Sequence, residues 1–151
     1  MKSNLSSLKA WRAEEIAKIF LLKSDYKMSI EKYPTPLFDF FVTLKSSPQV
    51  QFAIEVKTTV NFQSGIKEQL AKLKIYRNVG MIEVPVLLFR IDEKEESGKL
   101  DFLIAPIADN KLLIQNEFHF EELNQDSLKV KIKAIVNWYK AKVAASPDAG
   151  L

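Results

Sequence analysis

Three residues suited to metal or acid–base chemistry stand close together in the first half of the chain. Asp39 lies in PTPLFDFF, and Glu55 and Lys57 stand two apart in FAIEVKTT. Both segments have a strand-like composition, and residues two apart on a strand share a face. If these strands pair as a hairpin, Asp39 can approach Glu55 and Lys57. Two neighbouring carboxylates repel one another, and a hard divalent cation such as Mg²⁺ relieves that repulsion.

A lysine beside such a cation has two uses. Lys57 can hold or deprotonate a water that attacks a phosphodiester, or it can stabilise negative charge that develops on the phosphorus oxygens. The alternative is a solvated ion pair between Glu55 and Lys57, worth under about 1 kcal/mol. Asp39, on a neighbouring apolar strand, and Glu15, on the helix before it, favour the first interpretation.

An amphipathic helix is predicted over residues 6–23, ahead of these strands. At about 100° per residue its apolar side consists of Leu8, Trp11, Ile16, Ile19 and Leu22. Glu15 falls within this side, whereas Glu14 is expected to point into solvent. Because a carboxylate within an apolar stripe is costly unless it has partners, Glu15 is a further candidate for the site.

Period-two alternation after this helix predicts strands. Residues 26–31 indicate an edge strand, which is broken by the two prolines of EKYPTP. Residues 37–44 and 50–59 are two strands joined by the turn KSSPQ, and they form the predicted hairpin.

The second half of the chain continues the α/β pattern. A helix over 62–78 ends near Gly80, and the apolar run VPVLLFRI is typical of a strand covered on both faces. LDFLIAPI and KLLIQN follow, joined by a turn at Asp109 and Asn110, so two or three strands lie between the second helix and the last helix, which spans 126–145. The prediction is one α/β domain over residues 1–151, with a central mixed sheet flanked by helices in the order α-β-β-β-α-β-β-α and a frayed tail at 146–151.

Composition excludes several kinds of site. The chain has no cysteine, which excludes disulfides, thiolate zinc sites and cysteine nucleophiles. His119 is the only histidine, so we expect it to have a structural or surface role. No GxxxxGK[ST] run is present, which argues against a phosphate-loop nucleotide hydrolase.

Charge and hydropathy bear on partners and location. The net charge of +3 suits a polyanionic partner and equally suits a slightly basic protein without one. Lysines enrich the second and last helices, where they can follow a DNA backbone or form a solvated surface. No stretch has the roughly 20 apolar residues needed to span a bilayer. Because the N-terminus lacks an apolar signal core, we expect a soluble, cytoplasmic protein without a membrane partner.

The order of these elements and residues resembles the PD-(D/E)xK nuclease superfamily, which has the restriction-endonuclease-like fold. The matching residues are Glu15 on the first helix, Asp39 in PTPLFDFF, and Glu55 with Lys57 in FAIEVKTT. The surroundings are similar to those of small, poorly characterised bacterial members, and the resemblance covers residues 8–106. One departure is that Pro36 lies three residues before Asp39 instead of next to it.

The resemblance implies metal-dependent hydrolysis of DNA phosphodiester bonds. Asp39 and Glu55 would ligate Mg²⁺ or Mn²⁺, with the Val56 backbone carbonyl as a third protein ligand. Lys57 would orient or activate the attacking water.

Two further residues receive roles from the resemblance. Glu15 would bind the metal through water or hold a second ion, and Gln69 would position Lys57 or a phosphate from the following helix. DNA is the implied partner, and a homodimer or partner subunit is plausible because cutting both strands usually needs two sites. Two alternatives stay open: a non-catalytic DNA-binding or protein-interaction module on the same fold, and a structural subunit in which Glu55 and Lys57 only pair with each other.

Overall fold

An open, mixed sheet of seven strands carries helices on both of its faces. The computed structural model describes residues 2–60, 62–80 and 82–145, so the predicted tail at 146–151 lies outside the described residues. The described elements are α1 (Lys2–Leu22), β1 (Met28–Lys32), β2 (Phe40–Leu44), β3 (Gln51–Thr58), α2 (Phe62–Asn78), β4 (Val86–Asp92), β5 (Ser97–Ile107), β6 (Lys111–Ile114), β7 (Glu121–Glu122) and α3 (Gln125–Ala145).

The strands lie in the order β1-β2-β3-β4-β5-β6, and β7 pairs with the first part of β5. β3 and β4 are parallel and are joined by α2, because parallel neighbours need a crossover connection. All other pairs are antiparallel. The predicted α/β class, the mixed sheet and the edge position of β1 are therefore confirmed.

The predicted element order is incomplete in the second half of the chain. Four strands lie between α2 and α3, where the predicted order has two or three. The segment KLLIQN forms β6, so the strand that was not predicted is β7. β6 and β7 are short, with four and two residues, and within the described residues each pairs with β5 alone. Strands of this length carry too little alternation to give a clear period-two pattern.

Each face of the sheet has its own core. α1 and α3 cover one face, where Phe52, Ile54 and Phe89 pack with side chains of both helices. α2 covers the other face, where Ala53 and Leu88 are buried. β4 is fully buried between the two layers over residues 86–89, as its continuous apolar run predicts.

Two turn predictions are confirmed by backbone geometry. Gly80 has φ 73° just beyond α2, the left-handed conformation that commonly ends a helix. Asp109 and Asn110 have φ 62° and 60° between β5 and β6. Aspartate and asparagine tolerate this region better than other non-glycine residues, so the turn begins and ends where the sequence places it.

The predicted apolar side of α1 is wrong. Leu8, Trp11, Ile19 and Leu22 are half exposed or more, and Ile16 alone of that set is buried. The helix instead packs through a stripe that contains two small residues, which allow a close approach to the sheet. This stripe consists of Ala13, Ile16, Ala17, Phe20 and Leu21. None of the helices within the described ranges has the length and apolar content that a bilayer crossing needs.

The orientation of α1 predicts opposite stability effects at adjacent leucines. Leu21 is 0% exposed and Leu22 is 64% exposed. Leu21→Ala should lower the free energy of unfolding by about 2–5 kcal/mol, because it leaves a cavity in a packed core. Leu22→Ala should change it by no more than about 0.5 kcal/mol. Urea unfolding of both variants measures the difference, and equal losses would contradict this orientation of the helix.

Candidate functional site

The β2–β3 hairpin holds Asp39 against the middle of β3. The last residue pair of the hairpin is Phe40 with Ile54, and Asp39 stands just beyond it. The Asp39 amide donates to the Ile54 carbonyl at 3.0 Å, and its carbonyl accepts from the Tyr33 amide at 3.1 Å. Its Oδ2 accepts from the Val56 amide at 2.7 Å. These three bonds fix both the backbone and the carboxylate of Asp39.

The Val56 carbonyl lies on the same edge of β3. The amide and carbonyl of one residue in an extended strand point to the same side. Because the Val56 amide points at Asp39, the carbonyl also points to the β2 side, beyond the last residue pair. The Val56 carbonyl, which the resemblance implies as a third ligand, is thus on the same strand edge as the Asp39 carboxylate.

Glu55 is a buried carboxyl next to Asp39. Its exposed fraction is 5%, and its Oε1 accepts at 3.2 Å from the Val56 amide, which also donates to Asp39. Gln69 of α2 donates its Nε2 to Glu55 Oε2 and to the Leu37 carbonyl. The other amide atom, Gln69 Oε1, is buried and has no hydrogen-bond partner within the described residues. Gln69 therefore faces the site as predicted, but it contacts Glu55 and not Lys57.

Lys57 shares the Glu55 face of β3, which α2 covers. Its Nζ lies 3.8 Å from Glu55 Oε1, and 22% of its side chain is exposed. The side chain passes Gly65, where an added Cβ would lie 3.5 Å from Lys57 Cδ. Alanine would fit there in ordinary contact, whereas a larger side chain would displace the lysine. The helix thus leaves a channel that brings the ammonium group to the carboxylates.

Glu14 of α1 lies at the same cleft as Asp39. Both side chains line this cleft of about 320 Å³, and the charge of Asp39 and a hydrogen bond to it contribute to the raised pKa of Glu14. The expectation that Glu14 points into solvent is wrong, because α1 packs through the neighbouring Ala13 and Ala17. Glu15 also lines the cleft, but its Oε1 pairs with Lys18 Nζ at 3.6 Å and 44% of its side chain is exposed.

Burial and mutual repulsion favour the protonated form of two of these acids. Burial, followed by the charge of Asp39 and a hydrogen bond to it, raises the pKa of Glu14 to about 7. Burial, followed by the hydrogen bond to Asp39 and its charge, raises the pKa of Glu55 well above its usual value. Asp39 contributes to the raised pKa of both Glu14 and Glu55, whereas neither glutamate contributes to the pKa shift of the other, so the acids form a row with Asp39 in the middle.

These pKa shifts predict a pH-dependent stability in the absence of metal. The folded-state pKa of Glu14, about 7, exceeds its ordinary value of 4.5. Its contribution to stability is therefore fully present below about pH 4.5 and is lost as the pH rises through about 7. Glu55 acts in the same direction. We expect the free energy of unfolding in EDTA to fall between about pH 5 and about pH 8.

A pair of glutamate variants tests this origin of the pH dependence. Glu14→Gln should reduce the fall, because glutamine does not titrate. Glu68→Gln changes an exposed glutamate that pairs with Lys72 on α2 and should leave the fall unchanged. Urea unfolding at the two pH values measures both. A fall that persists in full in Glu14→Gln would show that another group causes it.

The donor set fits a hard cation that keeps several waters. Within the described residues no three acidic or histidine side chains gather closely enough to enclose a metal ion. Mg²⁺ is usually bound by only one or two carboxylates, with waters in its other positions. Asp39 and Glu55 would supply the carboxylates, and the Val56 carbonyl, on the same edge of β3, would supply a backbone oxygen. Replacing shared protons with a cation would also relieve the repulsion between the two acids.

The hairpin and α2 bring together four of the residues predicted from sequence, namely Asp39, Glu55, Lys57 and Gln69. The residue that the sequence prediction missed is Glu14. Its signal was the stripe of Ala13, Ile16, Ala17, Phe20 and Leu21, which places Glu14 at the edge of the buried face. A cleft of about 700 Å³ lined in part by β6 and α3 contains none of these five site residues. It carries no comparable group of neighbouring acids, so the chemistry points to the hairpin site.

Comparison with known proteins adds no assignment to this geometry. No protein-family model, curated protein or solved structure matches the chain.

Proposed function

We propose that this protein is a metal-dependent nuclease with a restriction-endonuclease-like fold that hydrolyses DNA phosphodiester bonds. The observation that carries the proposal is that the Asp39 and Glu55 carboxyl groups both accept from the Val56 amide, at 2.7 Å and 3.2 Å, with the Lys57 ammonium 3.8 Å from Glu55. In a merely structural role, two neighbouring carboxyl groups beside a lysine would lower the stability of the folded protein. They are useful where a cation and a phosphate must bind.

The topology around the site supports the fold part of this proposal. Asp39 precedes β2, the Glu-x-Lys segment lies on β3, and α2 then leads to a parallel β4. This is the order on which the resemblance to the PD-(D/E)xK superfamily rests. On the first helix, Glu14 lines the cleft at Asp39 together with the predicted Glu15, and its raised pKa supports Glu14 as a further member of the site.

Each residue of the site has a role that its position supports. The bound Mg²⁺ would supply Lewis-acid stabilisation of the phosphorus oxygens. Asp39 and Glu55 would hold it, and Gln69 keeps the Glu55 carboxyl in place through its amide. Lys57 would orient the attacking water or neutralise charge developing on the phosphate. Glu14, at the solvent side of Asp39, would hold water of the metal shell.

A cleavage assay tests the proposal. Supercoiled plasmid DNA should be nicked or linearised in the presence of Mg²⁺ or Mn²⁺ and should stay intact in EDTA. Labelled single-stranded DNA, duplex DNA and RNA in parallel reactions identify the preferred substrate. Intact DNA and RNA with every metal tested, from protein that is folded by circular dichroism, would contradict the proposal.

The exposed side of α1 favours a second candidate, a protein-interaction module on the same fold. Leu8, Trp11, Ile19 and Leu22 present large apolar side chains to solvent, as a surface that meets a partner subunit or a second copy would. Such a module needs no metal. Two results together would favour this candidate. The protein would cleave no nucleic acid, and it would form its partner complex equally well with and without the Asp39 carboxylate.

A further inference from the structure

A second pocket adjoins the proposed site on the same face of the sheet. It lies between the first half of α2, the end of β4 and residues 116–120, and its volume is about 430 Å³. Arg90 lines it, and Arg90 is the β4 partner of Lys57 in the β3–β4 register. We call it the Arg90 pocket. Because paired residues of neighbouring strands share a face, Arg90 stands beside Lys57 on the side of the sheet that α2 covers.

Aromatic rings hold the Arg90 side chain in place. Its guanidinium carbon lies 4.7 Å from the centre of the Phe62 ring and 5.8 Å from that of Phe120. These two rings also contact each other edge to face, at 5.3 Å between centres. Ring contacts orient the planar guanidinium and shield its faces from water, while its N–H donors stay available at the edge.

Arg90 has no carboxylate partner within the part of the chain that the structure describes. An arginine that is half-buried and oriented, but not ion-paired, suits an external anion. The guanidinium edge matches the geometry of a phosphate, which it can bind through two parallel hydrogen bonds. Lys67 of α2 lines the same pocket and adds a second positive charge, and no acidic residue lines it.

The other walls of the pocket suit a nucleobase. Phe118 packs against Phe120 with 5.6 Å between ring centres and lines the pocket together with Leu70. Flat apolar walls favour stacking with a base. Side-chain amides at the pocket mouth offer both donors and acceptors for a base edge; these are Gln63 and Asn116. The volume lies within the range of about 300–1,000 Å³ that is usual for small-ligand sites.

We propose that the Arg90 pocket binds one unpaired nucleotide of the substrate strand, with its phosphate at Arg90 and Lys67 and its base against Phe118. The base must be unpaired, because a base inside a duplex cannot enter a walled pocket without leaving the stack. This inference rests on the proposed function, since the bound strand is the one presented to Asp39 and Lys57. It assigns the nuclease a preference for single-stranded DNA or for frayed ends.

Binding without cleavage tests the pocket. The probe is a short fluorescein-labelled oligothymidylate, titrated by anisotropy in EDTA against protein carrying Asp39→Asn. Adding Arg90→Gln should weaken binding by about ten- to a hundred-fold, the effect of losing charge-assisted hydrogen bonds. The matched control is Arg77→Gln, which removes the same charge from an exposed position at the far end of α2 and should weaken binding by no more than about threefold.

A second variant separates charge from geometry. Arg90→Lys keeps the positive charge but lacks the planar fork, and it should lose most of the oligothymidylate affinity. It also serves as the test variant if Arg90→Gln does not fold. The affinity for a duplex of oligothymidylate with oligoadenylate should be lowered equally by Arg90→Gln and by Arg77→Gln. Equal weakening of the single strand by these two variants, or full affinity in Arg90→Lys, would overturn the pocket assignment.

The outcome is separable from that of the proposed function. If the protein binds the single strand through Arg90 but does not cleave DNA, the pocket assignment holds and the nuclease proposal is contradicted. If it cleaves DNA but Arg90→Gln does not weaken its single-strand binding, the nuclease proposal holds and the pocket assignment is contradicted.

Discussion

Asp39→Asn should lower the rate of Mg²⁺-dependent DNA cleavage by about a thousand-fold or more. A metal ion supplies several kcal/mol of transition-state stabilisation, and each 1.36 kcal/mol corresponds to about tenfold in rate. The substituted amide lacks the negative charge but keeps an oxygen that can accept from the Val56 amide, as Asp39 Oδ2 does at 2.7 Å. The fold should therefore survive, and initial rates of plasmid nicking measure the effect.

Asp25→Asn is the matched control for this change. Asp25 is an exposed aspartate whose ion pair with Lys129 spans 3.5 Å at the surface, and its replacement should leave cleavage within about twofold of the original rate. An Asp39→Asn protein that cleaves DNA as fast as the Asp25→Asn protein would remove Asp39 from the site.

Lys57→Met should lower cleavage by about a hundred- to ten-thousand-fold while metal binding persists. Groups that move or orient a proton in the transition state contribute in this range. The Lys57 Nζ lies 3.8 Å from Glu55 Oε1, and the lysine supplies no ligand oxygen. Methionine retains a long side chain for the channel beside Gly65. Measuring cleavage and Mn²⁺ affinity on one preparation separates the chemical role of the lysine from metal retention.

The control for the lysine lies on α2. Lys72→Met removes the same charge from an exposed side chain that pairs with Glu68 at 3.9 Å, and it should keep cleavage within about twofold. Loss of metal affinity in Lys57→Met, in step with loss of cleavage, would show that the lysine only maintains the carboxylates. Unchanged cleavage would remove Lys57 from the chemistry.

The hairpin site could be predicted from sequence because its determinants are local. Alternation along two strands placed Glu55 and Lys57 on one face, and a turn between the strands brought Asp39 near them. The structure confirms the pairing and places Asp39 one residue beyond it. It also shows that Asp39 acts partly by accepting from the Val56 amide, which a face pattern does not reveal.

The face of α1 could not be predicted from apolar residues alone. On a hydrophobicity scale, two alanines contribute less than the four large residues Leu8, Trp11, Ile19 and Leu22. Close packing against a sheet instead favours the stripe with Ala13 and Ala17, which have 0% exposure. The difference brings Glu14 to the cleft at Asp39, which Glu15 also lines.

The Arg90 pocket depends on contacts between residues far apart in the chain. Phe62 begins α2, Arg90 lies in β4, and Phe120 follows β6. A sequence pattern carries no sign that these three side chains meet. The pairing of Lys57 with Arg90 depends in turn on the parallel β3–β4 register, which only the assembled sheet provides.

Metal binding tests the central claim, that Asp39 and Glu55 form a divalent-cation site. Isothermal titration with Mn²⁺ at about pH 8, where Glu14 is ionised, should show one saturable site in the original protein and in Lys57→Met. The same titration should show no binding in Asp39→Asn. Absence of binding in the original protein, or equal affinity in Asp39→Asn, would contradict the claim.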